Sequence, residues 1–587
     1  MPSVSAHVAV ALAQHIDAVF GVMGNGNAYF LDALERATGA SFTAVRHEQG
    51  AVVAADAHYR ASGRIAAGTA TYGAGFTNTL TALAESVQAR VPLVLVVGDE
   101  PTSGPRPWDV DQIALASAVG ARTYTVGHAD AAATTIIAIE HALAYRVPVV
   151  LAIPYDVAAL EAGPVTHVPA PRMPAPLIPQ GEFTEGMLDT IAAALRDAER
   201  PFLLAGRGAW LAGAGAALGA LADATGALTA STALGRGVFP AVGHDLGVTG
   251  GFGADDAMAL VHDADVAVVF GASLNQFTMR FGGLFAPGTR VFQIDVAPAA
   301  THAHVSGFVR GDARLVAEAL VTRLPPHLPS PSPSPSPSPS HSFGVQAEHA
   351  AAAGPDDGVS PAASEAVPGR WRETVDASAA RAYDAGDEAA PDGRLDPRSA
   401  ARRIAELLPE DRVVVSDGGH FIGWANMYWP VAAPDRMMMV GTAFQAIGQG
   451  WPSVVGAARA RPGSTIVLTS GDGGGLMAIA DLESAVRAAG GRGCAVIWND
   501  AAYGAEVHLY GLKGLAEEPM LIPEVDFAAF AGAVGAEGVV VRRLADLDRL
   551  GEWSAQPTDE RPFLLLDLRI SPEIIAPYQQ EIIRVNS

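Results

Sequence analysis

Along the 587-residue chain, short apolar runs alternate with stretches whose apolar positions recur at helical spacing. Residues 91–97 and 147–153 are rich in β-branched residues and apolar on both faces, as in parallel strands covered by helices on either side. The alternation returns over residues 201–324, with strands predicted at 201–205, 266–270 and 290–294, each closing on Gly or Asp. It returns again from about residue 395, with strands at 412–415, 465–469, 494–498 and 563–566 and a helix over 476–489. Residues 325–368 break the pattern. They hold the run SPSPSPSPSPS and then an Ala-, Gly-, Asp- and Glu-rich stretch with no apolar period, which reads as an exposed, mobile linker. The expected fold class is α/β: three doubly wound parallel-sheet domains at 1–170, 185–324 and 369–587, with 325–368 as the linker.

Composition narrows the function classes. A formal charge of −24 argues against a nucleic-acid backbone or an anionic membrane as partner, although a cleft's local field can still admit an anionic small molecule. The one cysteine, Cys494, lies in an apolar run and reads as a core residue. The N-terminus lacks a basic segment, and no run approaches the ~18 apolar residues of a membrane span. A soluble, cytoplasmic protein is expected.

The densest chemistry lies in the third segment. An apolar strand ends in Gly471-Asp472-Gly473-Gly474-Gly475, and the next strand ends in Asn499-Asp500-Ala501-Ala502-Tyr503-Gly504. Open α/β sheets bind ligands at the C-terminal ends of their strands. Glycines there let backbone amides approach a phosphate, and hard oxygens suit Mg²⁺. The pattern resembles the diphosphate-binding motif of thiamine diphosphate (ThDP) enzymes, Gly-Asp-Gly followed after some two dozen residues by Asn-Asn. Here 25 residues, 474–498, separate the halves. The resemblance implies bound ThDP and Mg²⁺, with diphosphate contacts from Gly471, Gly473 and Gly474. The metal ligands would be Asp472, Asp500 and the Ala502 carbonyl, with Tyr503 following; an alternative register uses Asn499 and the Ala501 carbonyl.

In the first segment, Arg46-His47-Glu48-Gln49-Gly50-Ala51 resembles the aminopyrimidine-binding domain of acetohydroxyacid synthases and 2-oxo acid decarboxylases. By that resemblance Glu48 activates the cofactor. Its carboxyl would favour the imino tautomer, whose nitrogen removes the thiazolium C2 proton. Gly73-Ala74-Gly75-Phe76-Thr77-Asn78 matches a family loop beside the substrate, and Asp417-Gly418-Gly419-His420 a loop that touches the diphosphate. In the stretch from Gly441 to Gly448, Ile447 falls where a bulky residue bends the cofactor, and the Gln445 carbonyl where the pyrimidine amine is accepted. The three expected domains are thus pyrimidine-binding, central and diphosphate-binding.

The resemblance also frames the reaction. A 2-oxo acid would lose CO₂ to leave an enamine, which then adds to a second carbonyl, as in acetolactate synthase. The alternatives are a simple decarboxylase, a ThDP lyase or acetyltransferase acting on a CoA thioester or sulfonate, and a non-catalytic paralogue. Residues 100–112 lack the His-His pair of pyruvate decarboxylases and the Phe-Gln-Glu of the synthases; Trp108 and Gln112 are imperfect stand-ins. Asn25 and Glu506 are the polar candidates near the reacting carbon, with Tyr72, His128 and His508 as further groups in reach. Ser273-Leu274-Asn275-Gln276-Phe277 replaces the family's Arg-Phe-Asp-Asp, and Phe252 stands where a His is common, so FAD is not expected. A homodimer or homotetramer with active sites at the subunit interface completes the expectation.

Overall fold

A computed structural model describes residues 1–165, 168–324 and 371–586; the Ser/Pro stretch read as a linker lies outside them. Three six-stranded, all-parallel sheets account for the architecture. The first contains β1 (Ala18–Gly21), β2 (Ser41–Ala44), β3 (Ala67–Ala70), β4 (Leu93–Asp99), β5 (Arg122–Thr125) and β6 (Pro148–Pro154), in the order β2-β1-β3-β4-β6-β5. The second contains β7 (Pro201–Ala205), β8 (Leu228–Ser231), β9 (Asp245–Val248), β10 (Val266–Phe270), β11 (Arg290–Asp295) and β12 (Val305–Arg310), in the order β12-β11-β10-β7-β8-β9. The third contains β13 (Val413–Ser416), β14 (Met437–Met439), β15 (Ile466–Gly471), β16 (Gly493–Asn499), β17 (Glu537–Val541) and β18 (Leu564–Arg569), in the order β14-β13-β15-β16-β18-β17. The first and third sheets thus share one topology. The second has the order of the dinucleotide-binding fold.

The central strands are buried on both faces, which is why they are continuously apolar rather than alternating: every residue of β4, β6, β15, β16 and β18 is buried. Cys494 lies inside β16, and burial pushes its thiol up to about 12. One helix differs from the expected 476–489. It begins earlier, as Asp472–Met477, and breaks at Ala478 before a second helix, Leu482–Ala489. The break turns Asp481 inward, where its Oδ1 accepts the backbone N–H of Arg46 (2.7 Å) and the hydroxyl of Ser484 (2.9 Å). A tertiary contact with the first unit therefore overrides local helical periodicity.

The first and third units share one core. The helix Glu48–Ser62 packs on the helix Gly450–Ala460, with Ala51, Val52, Trp451 and Val455 buried together. The closest approach is at Gly456, where a Cβ would sit 2.0 Å from the Ala54 carbonyl oxygen. Only glycine fits there. In the second sheet the backbones at the ends of β7 and β10 touch: Gly208 donates to the Gly271 carbonyl at 2.8 Å. Beyond them Phe252 and Phe277 (ring centroids 4.8 Å apart) pack against Tyr578 of the third unit.

Candidate active site

The third sheet reverses its winding between β13 and β15, and both strands end in residues with no room to spare. Asp417, immediately after β13, is fully buried. Its Oδ1 accepts the N–H groups of Gly418 (2.8 Å) and Gln449 (3.1 Å), and its Oδ2 accepts the Ser470 hydroxyl (3.1 Å). One carboxylate thereby ties its own loop, the start of the helix Gly450–Ala460 and the end of β15 together at the ligand edge, and burial raises its pKa. A Cβ at Gly474 would lie 2.7 Å from that same Oδ2, so a glycine is needed to bring the turn down onto it.

Two further carboxylates face each other beside this point. Asp472 opens its helix and takes the Gly473 N–H on Oδ1 at 3.0 Å, while its buried Oδ2 takes no hydrogen bond among the described residues. Burial first, and the neighbouring Asp500 second, raise the Asp472 carboxyl. Asp500 accepts the Ala502 N–H at 3.2 Å and has its other oxygen 3.6 Å from His420 Nδ1. Ala501 is held in the left-handed region (φ 61°), a strained conformation for a residue with a Cβ. Its carbonyl accepts the Ile522 N–H (2.8 Å), and Tyr503 donates to the Met520 carbonyl (2.8 Å).

The resulting cleft, about 480 Å³ with its open mouth, is lined by Gly419, His420, Ile447, Gly471, Asp472, Gly473, Gly474, Asp500, Ala502, Tyr503 and Glu506, among others. Two mutually repelling buried carboxylates with an unpartnered oxygen fit a hard divalent cation, whose charge would relieve both burial and repulsion. The glycine turn beside them fits a phosphate. Asn499 does not join this group. Its side chain donates to the Val525 carbonyl (3.1 Å) and to Asp567 Oδ1 (2.9 Å) on the far side of β16.

The other residues expected in the third unit divide between wall and support. Ile447 Cγ2 would be 3.1 Å from a Cβ on Gly418, which places it over the Asp417 turn. Gln445 is exposed, at φ 57°, in a loop anchored by the Phe444 N–H donating to Glu85 Oε2 (2.7 Å). Glu85 is itself buried and receives Arg60 Nη2 at 3.1 Å. Glu506 is exposed on the first turn of the helix Gly504–Tyr510. His508 on that helix is absent from the cleft wall; it bonds the Pro572 carbonyl through Nε2 (2.9 Å) and stands edge-on to His420, 4.7 Å between centroids.

Glu48 heads its helix at the ligand edge of the first sheet and is half-buried. Its Oε2 accepts the side-chain amide of Asn78 at 3.0 Å. Among the described residues, none of the first unit lines the cleft around Asp472. Gly73 (φ 62°) opens the neighbouring loop and donates its N–H to Gln112 Oε1 at 2.9 Å; Gln112 in turn donates to the Gly98 carbonyl and to Asp99. Trp108 is exposed. Asn25 is exposed, with no side-chain hydrogen bond among the described residues, whereas Asn27, two residues on, accepts the Gly24 N–H and donates to Val22 and Thr69. His128 bonds the Glu161 carbonyl at 2.8 Å, beyond edge strand β5.

Sequence patterns placed Asn78 and Asp417 in motif loops without separate roles and did not single out Glu85 or Asp481. The signals were an acid between an apolar strand and a glycine pair for Asp417, and the end of the glycine loop for Asn78.

Comparison with known proteins agrees with this geometry. Residues 2–116 match the thiamine pyrophosphate enzyme N-terminal TPP-binding domain, 188–320 its central domain, and 417–565 its C-terminal TPP-binding domain. The chain is 26% identical to a sulfoacetaldehyde acetyltransferase of Castellaniella defragrans, over 98% of this chain and 94% of that protein. It is also 26% identical to the acetolactate synthase isozyme 3 large subunit of Escherichia coli, over 81% of this chain and 78% of that protein. An acetolactate synthase of Mycobacterium bovis is 25% identical over 91% of this chain and 82% of that protein. Among the described residues no helix is long and apolar enough to cross a membrane. With three domain models matched in order along three parallel sheets, the chain belongs to the thiamine-diphosphate-dependent enzyme family.

Proposed function

We propose that this enzyme uses ThDP and Mg²⁺ to decarboxylate a 2-oxo acid and join the remaining acyl unit to a second carbonyl compound, in the manner of acetolactate synthase. The observation that carries the reading is the pair Asp472 and Asp500: buried, facing one cleft, with Asp472 Oδ2 unpartnered beside a glycine turn. Asp472, Asp500 and the Ala502 carbonyl would hold Mg²⁺. Gly471, Gly473, Gly474, Gly419 and His420 would border the diphosphate, with Tyr503 closing the wall. The Ala501 carbonyl and Asn499 side chain are already bonded elsewhere, which supports this register over its alternative.

When bound, ThDP supplies the carbon nucleophile that accepts the acyl unit as CO₂ departs. The chain's own work is positional. Glu48 would share a proton with the pyrimidine ring, the Gln445 carbonyl would accept its amine, and Ile447 would fix the cofactor's bend. Gly73 borders the substrate beside Glu48. Exposed at two ligand edges, Glu506 would move protons near the reacting carbon and Asn25 would hydrogen-bond the substrate.

Among the described residues the cleft at Asp472 has no wall from the first unit, and large apolar side chains stand exposed at both ligand edges: Met23 and Ile113 on the first unit, Phe444, Met477 and Leu521 on the third. Both facts support a homodimer, or a dimer of dimers, in which one protomer's Glu48 completes its partner's cleft. The backbone contact between Gly208 and Gly271 and the Phe252–Phe277–Tyr578 cluster support a central unit without flavin. Transfer of an acetyl group from a sulfonated aldehyde is the second reading, favoured by the near full-length match to sulfoacetaldehyde acetyltransferase. Incubation with ThDP, Mg²⁺ and a panel of 2-oxo acids plus sulfoacetaldehyde tests the choice. Release of CO₂ with a 2-hydroxy-3-oxo acid is expected. Turnover of sulfoacetaldehyde alone would favour the second reading, and aldehyde as the sole organic product would overturn carboligation.

A further inference from the structure

At the ligand edge of the first sheet one guanidinium stands inside a collar of aromatic rings. Arg106 lies on the loop between β4 and the helix Gln112–Ala118. Its guanidinium carbon is 4.0 Å from the ring centroid of Tyr72, 4.8 Å from Tyr155 and 5.8 Å from Trp108. Tyr72 and Tyr155 meet edge to face, 5.9 Å apart, just past the ends of β3 and β6. Asp109 takes Nε at 3.0 Å and Nη2 at 2.6 Å. Nη2 also reaches the Asp99 carbonyl at 3.5 Å, the Tyr72 side chain is a further polar neighbour of the guanidinium, and the side chain keeps 16% of its surface exposed. Three rings and one carboxylate therefore fix the group's plane, with part of it still open to solvent. A guanidinium held this way gives up little side-chain freedom on meeting an anion.

The collar is joined to the loop around Glu48. Tyr72 precedes Gly73, and a Cβ on Gly73 would sit 2.8 Å from the Trp108 carbonyl oxygen. Gln112, at the end of the same loop, holds the Gly73 N–H, and Asn78 at the far end of the Gly73 loop donates to Glu48. On a chain of formal charge −24, a negatively charged substrate needs a local cation of this kind.

We propose that Arg106 and its aromatic collar form a subsite for a singly charged oxyanion, carboxylate or sulfonate, carried by the part of the substrate that survives the reaction. The proposal rests on the function given above. A carboxylate that departs as CO₂ is a poor partner, because an attraction that fades before the transition state is reached stabilises the ground state alone. A retained anion stays bound to the guanidinium throughout, so the subsite lowers KM and leaves kcat nearly unchanged. Asp109 already neutralises part of the charge, which limits the expected effect to about tenfold in affinity.

The test uses the full chain with ethanesulfonate and propionate as unreactive probes and 1-propanol as the uncharged control. Binding is read by calorimetry, with and without ThDP and Mg²⁺, in the unaltered protein and in Arg106→Gln and Asp109→Asn. Both anions should bind and compete, 1-propanol should not, and Arg106→Gln should weaken the anions about tenfold while retaining ThDP-induced thermal stabilisation. Asp109→Asn should tighten them. A preference between the two anions identifies the headgroup. Anion binding that is absent from the unaltered protein, or equal in Arg106→Gln, overturns the proposal. If Arg106→Gln loses the ThDP response, Asp109→Asn decides, since unchanged anion affinity there also overturns it. Absence of any ThDP response in the unaltered protein would instead count against the proposed function, and the anion titrations without cofactor would still be readable.

Discussion

Asn499 donates its side-chain amide to Asp567 Oδ1 at 2.9 Å, while Asp500, the next residue, turns to the opposite side and lines the cleft with Asp472. Adjacent residues at one strand end thus serve the core and the ligand edge separately. Asp472→Ala and Asp500→Ala should each abolish the rise in melting temperature produced by ThDP and Mg²⁺, as for a ligand that binds only the folded state. Asn499→Ala should keep that rise and lower baseline stability by about 1–3 kcal/mol, because Asp567 is left buried with one partner fewer. Thermal shift with and without cofactor separates the two behaviours. Loss of the cofactor response in Asn499→Ala alone would reverse the register.

Glu48 should matter to turnover rather than to cofactor affinity. Glu48→Gln keeps the hydrogen bond from Asn78 but cannot exchange a proton in the same way. Turnover is expected to fall by roughly 10²-fold or more, with ThDP-induced stabilisation intact. Steady-state kinetics near the unaltered rate would remove Glu48 from its assigned role.

The close approach of Gly456 to Ala54 predicts a stability effect away from the chemistry. Gly456→Ala drives a methyl into a backbone carbonyl at the crossing of the two helices, so the first and third units must separate. A destabilisation of about 1–3 kcal/mol in chemical denaturation is expected. An unchanged midpoint would mean that the helices part at no cost.

His58, on the same helix as Glu48, ties stability to pH. It is buried against Phe20, and burial pushes its imidazole down to about 4 from the ordinary 6.5. The unfolded chain therefore binds a proton that the folded one refuses between those values. Stability is full above pH 6.5 and falls as pH drops towards 4, by on the order of 3 kcal/mol from this residue. His58→Gln should flatten that part of the profile, and an identical slope in the variant would contradict the assignment.

Much of this was legible in the residues. Strands 201–205 and 266–270 appear where apolar runs close on glycine, and the turn at Gly471–Gly474 stands at a strand end beside Asp500. What was not legible depends on distant partners. The helix over 476–489 breaks because Asp481 is claimed by the backbone of Arg46, more than four hundred residues away in sequence. The side chain of Asn499 is held by Asp567 and Val525, which no local pattern reveals. Asn27, not Asn25, is locked by hydrogen bonds because Thr69 on β3 lies beside it. The support of the Gln445 loop by Glu85 likewise joins two units that no motif connects.

A complete site should need Glu48 from one protomer and the Asp472–Asp500 pair from another. Mixing Glu48→Gln with Asp472→Ala, each inactive alone, tests this most directly, because a hybrid dimer then holds one site with both residues intact. Recovery of up to about half the activity of the unaltered dimer is predicted. No recovery, with subunit exchange verified by differential tagging, would contradict the account and mean that each site is built within one chain.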